Sequence, residues 1–300
     1  MSRVVRVAAA QMGPVGRADS RADVVSRLIA MLRDAAARGA RLVVFPELAL
    51  TTFFPRWDLA DDEVITFFEP EMPGPDTRPL FEEAARLSVG FHLGYAELTP
   101  DGRRFNTAIL VAADGSILGH YRKVHLPGHE QPESWRPFQH LERKYFEPGP
   151  DGFSVFDAFG GRIGIAICND RRWSETYRVL GLGGAELILI GYNTPIHYPP
   201  DPAQDRLAAF HNNLVMAAGA YQNGAWVVGV AKGGTEEGVA SLCDSQVIAP
   251  SGEVVARAVS EGDEIVVADC DLDACVRYKE TVFNFVRYRR PSAYRAICDE

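Results

Sequence analysis

The order of apolar runs at the amino end leaves this chain few folds to choose from. Val4–Gln11 is a short, nearly continuous apolar stretch. A helical stripe follows in Val24, Val25, Leu28, Ile29, Leu32, Ala35 and Ala36, which Asp19 or Ser20 can cap and Gly39 can stop. Residues 42–45 then read as a second buried strand. Strand, helix, strand is the sign of parallel pairing, because parallel neighbours need a long crossover. A helix over 76–87 and a strand over 90–97 extend the series. A hairpin comes next, with strands at 105–112 and 117–122 about an Asp114-Gly115 turn.

The second half reads in the same way. Residues 153–156 and 162–167 are strand-like about a Gly160-Gly161 turn, and Ser174–Leu182 is a helix. Residues 186–190 are again strand, 203–221 a long helix, and 225–230, 241–249 and 265–271 strands. The stretch from Thr107 to Gly119 resembles that from Ser245 to Ala256: strand, turn glycine, strand. Each follows strand–helix units. The expectation is an α/β protein of two similar halves whose sheets pack face to face. No low-complexity linker divides the halves, so residues 1–300 are expected to form one domain. The tail, 279–300, carries Phe283, Phe285, Tyr288, Tyr294, Arg287, Arg289 and Arg290 without strong periodicity. It is expected to clasp another part of the molecule or a second subunit.

Charge and cysteine usage narrow the class. Net charge is −9, against the basic face of a nucleic-acid binder. No apolar run approaches the roughly 18 residues of a membrane span. Arg3 and Arg6 interrupt the first apolar stretch, so it reads as a strand and not a signal peptide. The five cysteines are Cys168, Cys243, Cys270, Cys275 and Cys298. They form neither a CxxC pair nor a disulfide framework, which fits a reducing, cytoplasmic home. Cys270 and Cys275 have no second ligand pair, so no metal site is expected.

Three reactive side chains stand where buried strands should end. Glu47 follows Leu42, Val43, Val44 and Phe45; Lys123 follows the hairpin; Cys168 follows Ile163 to Ile167. In open α/β sheets, sites form at the carboxyl ends of strands. Cys168 is also followed by Arg171 and Arg172 and by a helix start, a positive setting in which a thiol is expected to ionise. A carboxylate, an ammonium and a thiol brought together would make a working set. The carboxylate takes the thiol proton and later activates water, and the ammonium stabilises an oxyanion. Taken singly, Glu47 could cap a loop, Lys123 could be a solvated turn residue, and Cys168 a buried structural thiol. Residues 124–152, rich in Pro, His, Glu and aromatic residues, form a long connection of the kind that is usually functional.

Phe45-Pro46-Glu47, Arg122-Lys123-Val124-His125-Leu126-Pro127 and Ile167-Cys168-Asn169-Asp170-Arg171-Arg172-Trp173 together resemble the three signature segments of the nitrilase, or carbon–nitrogen hydrolase, superfamily. The resemblance implies a four-layer αββα sandwich of two packed mixed sheets, a Glu47-Lys123-Cys168 triad, and no metal or organic cofactor. It implies a supporting role for Glu142. It also implies a homodimer or homotetramer, joined through the helices beside the nucleophile and the tail. The blocks at 45–57, 136–142, 168–173 and 191–194 are further similar to the N-carbamoyl-D-amino-acid hydrolases. That likeness implies substrate contacts from Asn193 and Thr194, with His125 and His140 near the triad. Asn169 is expected to contact the carbamoyl group or to lend its backbone N–H to the oxyanion. Residues 233–244 look less like that subgroup.

The expected substrate is a small molecule bearing a carboxylate. A guanidinium can hold a carboxylate through two parallel hydrogen bonds, and Arg171 and Arg172 both lie near the thiol in sequence. Either could instead pair with Asp170 or Glu175. The expected reaction releases a D-amino acid, carbon dioxide and ammonia through a covalent cysteine intermediate. A β-ureidopropionase or an aliphatic amidase is the alternative within the superfamily, and a catalytically silent scaffold the alternative outside enzymes. Asn169-Asp170-Arg171-Arg172 after the cysteine disfavours a true nitrilase.

Overall fold

The computed structural model describes residues 2–298. Its strands are β1 Val4–Gln11, β2 Leu42–Val44, β3 Gly90–Leu98, β4 Arg104–Val111, β5 Ile117–Arg122, β6 Val155–Ala158, β7 Gly161–Ile167, β8 Leu187–Tyr192, β9 Trp226–Ala231, β10 Thr235–Glu236, β11 Val239–Ala240, β12 Gln246–Ile248, β13 Val254–Arg257 and β14 Glu264–Asp271. Its α-helices are α1 Arg21–Ala37, α2 Asp61–Val64, α3 Arg78–Leu87, α4 Glu142–Tyr145, α5 Ser174–Leu182, α6 Ala208–Asn223, α7 Ala274–Glu280 and α8 Phe285–Tyr288. No helix among the described residues is long and apolar enough to cross a membrane.

Two six-stranded sheets form, in the orders β14-β1-β2-β3-β4-β5 and β13-β12-β9-β8-β7-β6. They are built alike. Three parallel strands, β1-β2-β3 or β7-β8-β9, sit at the centre. Antiparallel strands flank them on both sides. The repeated strand–glycine–strand segment is β4–β5 in one sheet and β12–β13 in the other.

Side-chain alternation along the strands sorts the layers. Val5, Val7 and Ala9 of β1 face the second sheet, in one core with Ile165, Leu189, Tyr177 of α5 and Met216 of α6. Ala8 and Ala10 face the other way, into a core with Leu28 of α1 and Leu80 of α3. The result is helix, sheet, sheet, helix: the four-layer αββα sandwich. Central strands covered on both faces explain the unbroken apolar runs seen in sequence.

Both sheets press on the backbone of Glu47. A Cβ on Gly94 of β3 would lie 2.8 Å from the Cα of Glu47, and one on Gly191 of β8 would lie 2.7 Å from its amide nitrogen. Only glycine allows these backbones to approach so closely. Glu47 is thereby clamped between the sheets and carried on rigid structure.

Several expected boundaries move. The helix expected over 203–221 begins as a 3-10 turn, Pro202–Leu207, before α6. Here the Asp205 carboxylate is occupied by the His197 ring and the Tyr198 N–H. The strand expected over 241–249 shrinks to β12. Ser241 instead bridges to Pro195, and the Leu242 N–H donates to the Thr194 carbonyl. The helix expected from 76 starts at Arg78. The irregular segment 124–152 contains only the one turn of α4. In the tail, Phe283 packs edge-on against Tyr221 and Phe285 lies under Arg178. Residues 299 and 300 of the expected tail lie outside the described residues.

Candidate active site

Cys168 ends β7 and opens a 3-10 turn, Cys168–Arg172, with φ of 44°. A side chain in this left-handed region is strained, and such strain collects where a reactive group is thrust out of a strand end. Asp170 holds the turn. Its buried carboxylate accepts hydrogen bonds from the Ile167 N–H (3.0 Å), the His125 N–H (3.0 Å) and the Tyr121 hydroxyl (2.7 Å). The Sγ of Cys168 points into a pocket 3.8 Å from the Asn193 carbonyl and 3.7 Å from the Thr194 hydroxyl.

Beside it is a fully buried set of charges. The Lys123 Nζ donates to Glu47 Oε1 at 2.7 Å and to Glu142 Oε2 at 2.5 Å. Asn106 Nδ2 donates to the same Glu47 oxygen at 2.8 Å, and the Asn193 N–H donates to Glu47 Oε2 at 2.9 Å. The His140 ring lies 3.1 Å from Glu142 Oε1. One ammonium thus faces two carboxylates, and neutral donors supply the remaining contacts a buried charge requires.

This environment drives the two carboxylates apart. Burial raises the Glu47 pKa; Lys123 opposes that and the Glu142 charge adds to it, so Glu47 lies above its ordinary value. Burial also acts on Glu142, but Lys123 and His140 outweigh it and hold that carboxyl below its ordinary value. Burial alone would discharge Lys123, yet Glu142 and Glu47 keep it ionised. Paired groups pushed in opposite directions mark an acid–base assignment. Glu47 can take and return a proton, while Glu142 stays charged and holds Lys123.

The thiol departs from the sequence expectation. Burial and the Glu47 charge raise the Cys168 pKa, and Lys123 and Arg171 only partly offset them. The resting side chain is a neutral thiol, not a thiolate. Its proton has to leave as the sulfur attacks, and Glu47 is the neighbouring carboxylate able to receive it.

A cavity of about 440 Å³ opens onto Cys168. Asn169, Arg172, Asn193, Thr194 and His140 line it. Asn193 Nδ2 is buried there without a hydrogen-bond partner among the described residues, a donor free for a ligand. The Asn169 amide is tied to the His125 carbonyl at 3.2 Å. Two expected binding residues are placed elsewhere. Arg171 is buried behind the cysteine, where its guanidinium donates to Asn212, the Cys168 carbonyl and Thr194 and lies over the Tyr192 ring. It therefore braces the elbow and does not line the cavity. His125 bonds to Asp170 at 2.8 Å and stacks on Trp173, facing a separate hollow. Asp170 is thus paired with His125 and Tyr121, not with either arginine.

Sequence reading missed Asn106, and the signal was a single amide inside the apolar run of β4. It also missed Asn212, whose carbonyl oxygen fixes Arg171 at 2.8 Å.

The pH behaviour follows from Glu47. As the base it must be ionised, so kcat/KM is expected to fall on the acid side at a pH above the ordinary carboxylate range. Glu142→Gln removes a charge that raises Glu47, and the acid limb should move to lower pH. A pH–rate profile of both proteins checks this, and an unmoved limb would assign the limb to another group.

The carbon–nitrogen hydrolase family model matches residues 6–280. The chain is 30% identical over 279 residues to N-carbamoylputrescine amidase of Arabidopsis thaliana, spanning 89% of this chain and 87% of that protein. It is 29% identical over 296 residues to citrullinase of Francisella tularensis, spanning 93% and 94%. A carbon–nitrogen hydrolase from Helicobacter pylori superposes with a TM-score of 0.86 at 22% identity, covering 100% of this chain and 99% of that one, a likeness of fold.

Proposed function

This chain belongs to the carbon–nitrogen hydrolase family, and from that premise we propose that it hydrolyses the carbamoyl group of N-carbamoyl amino acids, the D enantiomers in particular. Glu47 takes the Cys168 proton as sulfur attacks the carbamoyl carbon. Lys123 stabilises the oxyanion, and Glu142 keeps Lys123 charged and in place. Collapse of the tetrahedral adduct expels one amine, which carries away the proton held by Glu47. Water activated by Glu47 then cleaves the remaining S-carbamoyl bond, freeing the thiol, and the released carbamate loses carbon dioxide to give the second amine. The net reaction consumes one water and yields the amino acid, carbon dioxide and ammonia.

The observation that carries the substrate class is the charge of the cavity wall. Among the described residues, its ionisable lining side chains besides Cys168 are Arg136, Arg172, His140, His197, Tyr198 and His211, with no Asp or Glu among them. Arg136, His140 and His197 are matched by Glu133, Glu142 and Asp205. Arg172 has neither a hydrogen bond nor an ion pair among the described residues. This guanidinium suits a substrate carboxylate, and Asn193 Nδ2 adds a donor. N-carbamoylputrescine, the substrate in the name of the Arabidopsis relative, ends in an amine that is cationic at neutral pH, and the described residues of this wall offer no carboxylate to it. Citrulline, by contrast, carries a carboxylate beside its ammonium, as well as a ureido group. Preference for the D form rests on the blocks at 45–57, 136–142, 168–173 and 191–194.

Ammonia release from N-carbamoyl-D-phenylalanine, its L enantiomer and N-carbamoylputrescine tests this reading. The D form is expected to turn over fastest. Arg172→Met should raise KM for it by about 10- to 100-fold, the worth of a charge-assisted contact, while leaving an uncharged ureido substrate unaffected. Preference for N-carbamoylputrescine would overturn the substrate class. Preference for a β-ureido acid would keep the carboxylate and move the enzyme to the β-ureidopropionases.

We also propose a homodimer or homotetramer. Phe210, Leu214 and Tyr221 of α6 and Val179 and Leu182 of α5 expose apolar surface on the helices beside the nucleophile. Sedimentation velocity should show no monomer at micromolar concentration. A cytoplasmic location accords with five free cysteines.

A further inference from the structure

Part of the wall of the cavity that holds Cys168 is also the wall of a second space. This second cavity, of about 680 Å³, is lined in part by Trp57, Pro132, Pro137 and Val239, and also by the acidic Asp58 and Glu237. Arg136, Phe138 and His197 line both cavities. The Phe138 ring stands edge-on to the His197 ring, with centroids 6.2 Å apart and planes at 70°.

The three shared side chains are held differently. Asp205 receives the His197 ring at 2.7 Å and the neighbouring Tyr198 N–H at 2.8 Å. Glu133 receives the Arg136 guanidinium at 2.5 Å, and Arg136 also lies over Trp135. Phe138 has no polar anchor on its side chain. Its backbone neighbour is fixed, because the Gln139 N–H donates to the Arg56 carbonyl at 2.9 Å. The partition therefore consists of two side chains tethered to carboxylates and one phenyl ring held only by packing. The ring is the part that can be cut back or turned aside without stranding a charge.

We propose that Phe138, closed against His197, sets the length of substrate side chain that the site accepts, and that the space behind it takes the end of an extended apolar or aromatic side chain. This rests on the reading of the cavity as the seat of an N-carbamoyl amino acid. With Phe138 in place, side chains must fit within the first cavity. With the ring removed, the two spaces join along the Arg136–His197 wall. Phe138 is a specificity-determining residue and takes no part in the bond-breaking steps.

Two readouts on the parent, Phe138→Ala and Phe138→Val proteins test the proposal. The first is the ratio of kcat/KM for N-carbamoyl-D-homophenylalanine to that for N-carbamoylglycine. The second is the ratio of the rates at which N-(4-phenylbutyl)iodoacetamide and iodoacetamide alkylate Cys168, followed on the peptide that contains it. Each ratio is expected to rise about tenfold or more in Phe138→Ala, and less in Phe138→Val, as removal of several buried carbons from a pocket wall requires. Ratios within about twofold of the parent in both variants would overturn it, since one methylene alone is worth more than that. The alkylation ratio needs only the thiol and the cavity. If the parent turns over neither ureido acid, the substrate reading fails, and the alkylation ratio still decides the role of Phe138. Phe138→Val decides it if Phe138→Ala does not fold.

Discussion

Cys168→Ala is expected to fold as the parent does and to lose turnover by about 10⁴-fold or more, as removal of a covalent nucleophile does elsewhere. The fold should survive because little structure hangs on the sulfur. Its polar contacts, to Asn193, Thr194 and Arg171, are all at 3.7 to 3.8 Å. The strained φ of 44° is common to both residues, since alanine carries the same Cβ. The bracing of the elbow comes from Asp170 and Arg171, which the substitution leaves in place. The loss is therefore one of chemistry. Matched denaturation midpoints beside absent ammonia release are the expected pair of results. Residual turnover above about a hundredth of the parent would mean that a general base and an oxyanion partner can act on water directly.

Lys123→Met is expected to damage both activity and stability. The ammonium sits between Glu47 and Glu142, and all three side chains are completely buried. Removing it leaves two neighbouring carboxylates without their counter-charge, and breaking a buried pair in this way costs about 3–5 kcal/mol. Loss of an oxyanion partner accounts for about a further 10²–10³ in kcat. The pH dependence has a definite sign. Without Lys123, burial and mutual repulsion push both carboxyl groups above their unfolded values. The folded protein then binds more protons than the unfolded chain, so stability falls as pH rises through those raised values. Below the unfolded carboxylate range both states are protonated and the penalty vanishes. Urea midpoints of parent and variant should converge on acidification and separate toward neutral pH. Adding Glu142→Gln to Lys123→Met should restore part of the stability and none of the turnover, which separates the structural from the catalytic loss.

The layers were legible in the sequence because burial leaves a plain trace. β1 and α5 have the expected bounds, Val4–Gln11 and Ser174–Leu182, since each is an apolar pattern with clear punctuation at its ends. The repeated strand–glycine–strand segment foretold the two like sheets because it occupies equivalent edges in both. Local pattern was weaker where long-range bonds decide. Ser241 to Ser245 have strand-like composition, yet Leu242 bonds to Thr194 and Asp244 binds Arg257, Asn212 and Gln246. At the site, the strand ends marked Glu47, Lys123 and Cys168, but the placing of Glu47 depends on Gly94 and Gly191 letting both sheets press on its backbone. Arg171 and Arg172 were indistinguishable in sequence. A tight 3-10 turn sends neighbouring side chains in different directions, one into the protein and one to the cavity. His125 was placed by Asp170, a partner 45 residues away that no spacing rule could select. The thiol was read from its arginines, whereas burial and the Glu47 carboxylate govern its charge.

The central claim is that Cys168 forms a bond to the carbamoyl carbon of a carboxylate-bearing ureido substrate. Rapid acid quenching of the parent protein during turnover of N-carbamoyl-D-phenylalanine, followed by mass analysis of the Cys168 peptide, tests it most directly. The predicted result is a transient adduct on Cys168, with the mass of a carbamoyl group if the amino acid departs first, or of the carbonyl-linked amino acid if ammonia does. Turnover with no adduct on Cys168 at any time, or with an adduct on another residue, would contradict it.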